Sequence, residues 1–151
     1  MSGKLSDELY TKFHESMPIF CVDIVLKNSE GGFLLVKRSN EPANGQWWLP
    51  GGRLLRNETI DEAAVRKIKE EVGLDIKLFK GMNKCYELIF NESPFSHGRG
   101  THNVTTCVSA EVSDFDDFKL DGNHSELKLF HKVDEDWHPY VKECLREAGI
   151  R

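Results

Sequence analysis

The sequence predicts an α/β domain built on a mixed β-sheet. Three observations carry the prediction. Residues 19–26 and 33–36 are short apolar, β-branched runs joined by Asn28-Ser29-Glu30-Gly31-Gly32, the pattern of a hairpin. After Thr59 the apolar residues switch to a helical period. Near the C-terminus, His138-Pro139 opens a further helix that runs to about Ala148.

The elements follow in order. Ser6-Asp7-Glu8 caps a short amphipathic helix reaching His14, and Pro18 ends it. After the hairpin comes a loop over 39–46, then a short aromatic strand, Trp47-Trp48-Leu49. One tryptophan is expected in the core and the other at a pocket or dimer surface. Pro50-Gly51-Gly52 breaks the pattern. In the next helix Ile60, Ala63, Ala64, Ile68 and Val72 share one face, and Gly73 stops it. Further strands are expected over 76–79, 82–90, 102–112 and 127–130, with a polar loop over 91–100.

The 151 residues suit one domain, taken as 1–151. Net charge is −5 with 39% hydrophobic and 30% charged residues, a balance that excludes wholesale disorder. No basic stripe marks a nucleic-acid partner. No apolar run approaches the roughly 18–20 residues of a membrane helix, so no membrane partner is expected. Met1 to Glu15 lacks an apolar leader segment, which makes the cytoplasm the expected location. Cys21, Cys85, Cys107 and Cys144 show no metal or redox spacing and are expected as reduced core residues.

The chemistry is concentrated between Gly51 and Leu74. Glu58, Glu62, Arg66 and Glu70 recur at steps of four, which gathers side chains along one helical face. Glu70 and Glu71 point about 100° apart, so both can reach one helix edge. Clustered carboxylates repel unless a cation lies between them or an arginine pairs with them. Hard oxygens of this kind suit Mg²⁺ or Mn²⁺. The Gly51-Gly52 pair lets backbone approach a metal or phosphate closely.

Residues 52–74 resemble the Nudix box: Gly, five residues, Glu, seven residues, then Arg-Glu-hydrophobic-any-Glu-Glu-any-Gly-hydrophobic. The match is carried by Gly52, Glu58, Arg66, Ile68, Glu70, Glu71, Gly73 and Leu74. Lys67 stands where the box has glutamate. The resemblance implies an α/β/α sandwich and metal-dependent hydrolysis of a nucleoside diphosphate linked to another group. Lys67 removes a carboxylate, which favours a single ion, and it can pair with Glu71 one turn on.

Residues 37–53, with Lys37-Arg38, Pro42-Ala43, Trp47-Trp48 and Pro50-Gly51-Gly52-Arg53, are also similar to the GDP-mannose mannosyl hydrolase branch. That likeness implies water attack at the anomeric carbon of a nucleotide sugar, with inversion and release of the nucleoside diphosphate. By resemblance, Arg38 and Arg53 are the cations on the leaving diphosphate, a task suited to a planar fork. Gly51, Glu70, Glu71 and Asn123 would hold the Mg²⁺ (or Mn²⁺), and His124 would be the base. Asn123 offers the amide oxygen of the branch's glutamine on a shorter arm. Asp23 matches an acidic residue of the branch; a carboxylate in an apolar strand needs a partner, and an arginine is expected. His102 matches a substrate-side histidine, although Asn103 replaces the branch's tyrosine, and His97 is a weaker candidate. The branch also implies a homodimer acting on a small-molecule nucleotide sugar. Two alternatives stand beside this reading: a diphosphatase cutting the phosphate bridge of a nucleotide sugar or nucleoside triphosphate, and a non-catalytic binding module.

Overall fold

The first helix begins as its residues dictate: the Ser6 hydroxyl accepts from Leu9 N at 3.3 Å, and α1 (Asp7–Ser16) follows. The computed structural model describes residues 4–112 and 126–151, and of residues 78–83 the backbone alone. The strands are β1 (Ile19–Lys27), β2 (Phe33–Lys37), β3 (Trp47–Trp48), β4 (Gly51–Arg53), β5 (Lys77–Phe90), β6 (Thr101–Glu111) and β7 (Glu126–Phe130). Helix α2 (Ile60–Glu71) lies between β4 and β5, and α3 (Pro139–Glu147) follows β7.

The seven described strands form one mixed sheet whose main path runs β3-β2-β1-β6-β5, with β4 paired to β1 and β7 paired to β2. One edge of β1 runs parallel to β6 along its whole length, from Ile19 opposite Asn103 to Lys27 opposite Glu111. Its other edge is shared. β4 takes Cys21 to Asp23, and β2 takes Leu26 and Lys27, both antiparallel. The sheet therefore forks along β1, and Asp23 stands at the fork.

Each face of the sheet carries a helix, as the period of two demands. Val22, Ile24, Leu26 and Leu34 pack with Ala63, Ala64, Ile68 and Val72 of the α2 segment. Val25, Phe33, Leu35 and Cys107 pack with Tyr140, Val141, Cys144 and Leu145 of α3. Burying each large apolar side chain contributes about 1.5–3 kcal/mol. The expected α/β class with a mixed sheet is what the structure shows.

Several local expectations change. Gly51 and Gly52 do not break the sheet; with Arg53 they form β4. Residues 76–79 and 82–90 are not two strands. β5 is continuous, with register shifts at Leu78/Lys80 and Gly81/Cys85 that look like interruptions in the sequence. Ile60, in the first turn of α2, stays 37% exposed although the rest of its expected face is buried. Cys107 and Cys144 are core residues, whereas Cys85 is exposed and Cys21 half-buried. Gly73 ends α2 as expected, at φ +81°, its N–H bonding Ile68 O at 3.1 Å.

Candidate active site

The loop before α2 is stitched to the helix by one arginine. Arg66 Nε donates to Glu58 Oε1 at 2.6 Å and Nη2 to Glu58 Oε2 at 3.0 Å. The same Nη2 reaches Arg53 O at 3.0 Å, and Nη1 reaches Glu70 Oε2 at 3.4 Å. This fork holds the Glu58 carboxyl below its usual range and keeps Arg66 protonated. Glu62 faces another task. With Thr59 it forms a capping box: Thr59 N to Glu62 Oε2 is 2.8 Å, and Glu62 N to Thr59 Oγ1 is 3.1 Å.

Glu71 lies on the buried side of α2, 4% exposed, against β4. Its Oε2 accepts from Gly51 N at 3.3 Å, and its Oε1 lies 2.9 Å from Lys67 Nζ. The same ammonium is 3.5 Å from Glu70 Oε2. Glu70 is more open, and Lys4 approaches its Oε1 at 3.7 Å. The Lys67–Glu71 pair is the one the helical spacing predicts.

Gly51 is obligatory for the approach of β4 to β1. A Cβ there would land on the Asp23 carboxylate and the Val22 carbonyl. Ile24 N bonds Pro50 O at 2.8 Å and closes the same junction. A cleft opens beside it, lined among others by Asp23, Arg38, Trp48, Gly51, Asn103 and Thr105.

Asp23 is buried at the cleft floor. Tyr140 Oη donates to its Oδ2 at 2.6 Å and Thr105 Oγ1 approaches the same oxygen at 3.4 Å. The expected arginine partner is thus replaced by two hydroxyls. Arg38 acts on Asp23 through space, and its Nε donates to Pro42 O at 2.6 Å. Burial pushes the Asp23 carboxyl up to about 7; Glu71 adds to the rise, while the Tyr140 bond opposes it. Burial also lowers the Arg38 pKa against the pull of Asp23 and Glu71.

The structure gathers Asp23, Arg38, Gly51, Glu70 and Glu71 around the α2–β4 junction. Arg53, opposite Cys21 in the β1–β4 pair, is turned toward α1, its Cζ 5.1 Å from the centre of the Tyr10 ring. His102 is exposed on β6 and does not line the cleft; its neighbour Asn103 does. His97 is bonded instead to His14, Nε2 to Nδ1 at 2.8 Å. Asn123 and His124 lie outside the described residues. Trp48 is buried beside the cleft, and Trp47 packs edge-on against Phe130 with ring centres 5.0 Å apart. Tyr140 and Thr105 were not legible as site residues, since only the folded sheet brings them to Asp23.

The donor chemistry fits a hard divalent ion: Glu71 and Glu70 supply carboxylate oxygens, and the close Gly51 backbone can add a carbonyl. Among the described residues no group of three or more His, Cys, Asp or Glu side chains gathers as a metal cluster. No helix among them is long and apolar enough to cross a membrane.

Comparison with known proteins identifies the family. The NUDIX domain family matches residues 17–147. The low-salt glycan biosynthesis protein Agl8 of Haloferax volcanii is 33% identical over 142 residues, covering 94% of this chain and 89% of that protein. The ADP-ribose pyrophosphatase of Methanocaldococcus jannaschii is 31% identical over 129 residues, covering 85% and 74%. Among solved structures, the MutT NUDIX hydrolase from Burkholderia pseudomallei superposes with a TM-score of 0.67 at 22% identity, covering 87% of this chain and 98% of that one, a likeness of fold. The chain belongs to the NUDIX family and is a Nudix hydrolase. Members of that family generally use divalent metals such as Mg²⁺.

Proposed function

We propose that this protein hydrolyses a nucleoside diphosphate sugar, GDP-mannose or a close relative, at the glycosidic C–O bond. The observation that carries the reading is the Lys67 ammonium 2.9 Å from Glu71, inside the box helix. It lowers the negative charge available to gather several metal ions on the phosphate bridge. The segment from Lys37 to Arg53, similar to the mannosyl hydrolases, and the glycan role in the name of the Haloferax relative favour a sugar substrate.

In this account Arg38, at the cleft wall, binds the diphosphate and stabilises the charge that grows on it as the C–O bond breaks. Arg53 adds a second cation by turning from Tyr10. Asp23 orients a sugar hydroxyl at the cleft floor, its carboxyl fixed by Tyr140 and Thr105. His124 takes the proton of the attacking water, whose oxygen bonds to the anomeric carbon; the products are the free sugar and the nucleoside diphosphate. Gly51, Glu70, Glu71 and Asn123 would hold one Mg²⁺ or Mn²⁺, which supplies Lewis-acid stabilisation to the leaving diphosphate. His102, exposed on β6 and outside the cleft lining, takes no part in the step. The molecule acts as a single domain over 1–151, as a homodimer, in the cytoplasm.

A second reading has its own support. Glu70 and Glu71 are both present, and the archaeal relative named an ADP-ribose pyrophosphatase covers most of the chain. Cleavage would then fall on the phosphate bridge. Incubation with GDP-mannose and Mg²⁺, followed by ion-exchange separation, tests the two. GDP with free mannose is expected; GMP with mannose 1-phosphate would select the second reading.

A further inference from the structure

Lys67 is held with unusual definition for a surface-helix lysine. Its side chain is only 19% exposed, and it meets two carboxylates of the next turn, Glu71 Oε1 at 2.9 Å and Glu70 Oε2 at 3.5 Å. Its stem lies in the space left by Gly52. A Cβ there would come within 2.8 Å of Lys67 Cε and 3.2 Å of its Nζ. The absence of a side chain at 52 therefore lets the lysine lie flat along β4 and reach back into the carboxylate pair.

The consequence for Glu71 is specific. Its Oε2 takes the Gly51 N–H at 3.3 Å and its Oε1 takes the ammonium. Both oxygens of the buried carboxylate are thus engaged by groups of the protein itself. Two carboxylates sharing one cation form the arrangement a divalent ion would also seek. Here the cation is covalently attached to the helix, so its local concentration is high and fixed. An ion entering at Glu71 must displace Lys67 from Oε1 or bind away from it.

We propose that Lys67 is a tethered cation that occupies the position shared by Glu70 and Glu71, weakens divalent-ion binding there and limits the site to one ion. Gly52 is the positioning element that makes room for it. The inference rests on the reading that a divalent ion binds at Glu71, and is independent of which bond is cut.

The test counts ions rather than turnover. Mn²⁺ binding is measured by equilibrium dialysis and by the electron paramagnetic resonance signal of free Mn²⁺, for the wild type, Lys67→Met and Lys67→Glu. One Mn²⁺ is expected in the wild type, binding about tenfold tighter in Lys67→Met, a factor equal to about 1.4 kcal/mol. Lys67→Glu is expected to hold an additional ion. Thermal melts keep the result readable. In EDTA, Lys67→Met should melt below the wild type, because Glu70 and Glu71 then face each other without their cation, and Mg²⁺ should close the gap. Equal stoichiometry and affinity in all three proteins, or two or more ions in the wild type, would overturn the proposal. If none of the three bound Mn²⁺, the metal reading would fall and the proposal with it, while GDP-mannose product analysis would still stand on its own.

Discussion

Tyr140 on α3 donates its hydroxyl to Asp23 on β1 at 2.6 Å, across 117 positions of sequence. The bond ties the helix of one layer to the floor of the cleft. Tyr140→Phe removes it and leaves a buried carboxylate with one weak hydroxyl partner. The expected cost is about 1–3 kcal/mol of stability, read from urea denaturation. The sign of its pH dependence follows from Asp23. Its folded pKa of about 7 lies above its ordinary 3.8. The stability it contributes is present at low pH and is lost as pH rises through about 7. Tyr140→Phe should therefore cost more at pH 8, where the lost bond is to a carboxylate, than at pH 5.

Arg66 carries two bonds to Glu58, and their side chains are 22% and 12% exposed. Arg66→Met strands Glu58 and frees the loop that presents Arg53. A loss of about 2–3 kcal/mol is expected, with turnover reduced. A denaturation midpoint equal to that of the wild type would show that the fork is not structural.

The two glycines of β4 should respond differently. Gly51→Ala drives a methyl group into the Asp23 carboxylate and the Val22 carbonyl, neither of which can retreat without opening β1 from β4. Failure to fold, or a large drop in melting temperature, is expected. Gly52→Ala meets first the flexible end of Lys67 and should fold, with a modest shift in melting temperature.

His14 and His97 form a latch between α1 and the loop after β5, at 2.8 Å. Burial and then His97 lower the His14 pKa below its ordinary 6.5. The unfolded chain takes the proton first on acidification. The latch therefore contributes fully above pH 6.5, and its contribution falls as pH drops from there toward the folded value. Urea midpoints at pH 7.5 and 5.5 should separate more in the wild type than in His14→Gln.

The sequence announces those parts of the molecule whose signals are local. The Ser6 cap of α1, the glycine stop at Gly73 and the Lys67–Glu71 spacing are all set within one or two helical turns. The missed features are set by partners far away. β4 is three residues long and contains two glycines, so nothing in its own sequence says strand; its pairing depends on how closely Gly51 can approach Asp23. Asp23 takes hydroxyls rather than an arginine because α3 brings Tyr140 to it, a relation with no spacing rule. Ile60 fits the period of α2 but lies in the first turn, where the helix is not fully covered.

The central claim is attack at the sugar carbon. Hydrolysis of GDP-mannose in ¹⁸O-labelled water, with mass analysis of both products, tests it directly. The account predicts the label in free mannose and unlabelled GDP. Label in GDP, in GMP or in mannose 1-phosphate would place attack at phosphorus and contradict it.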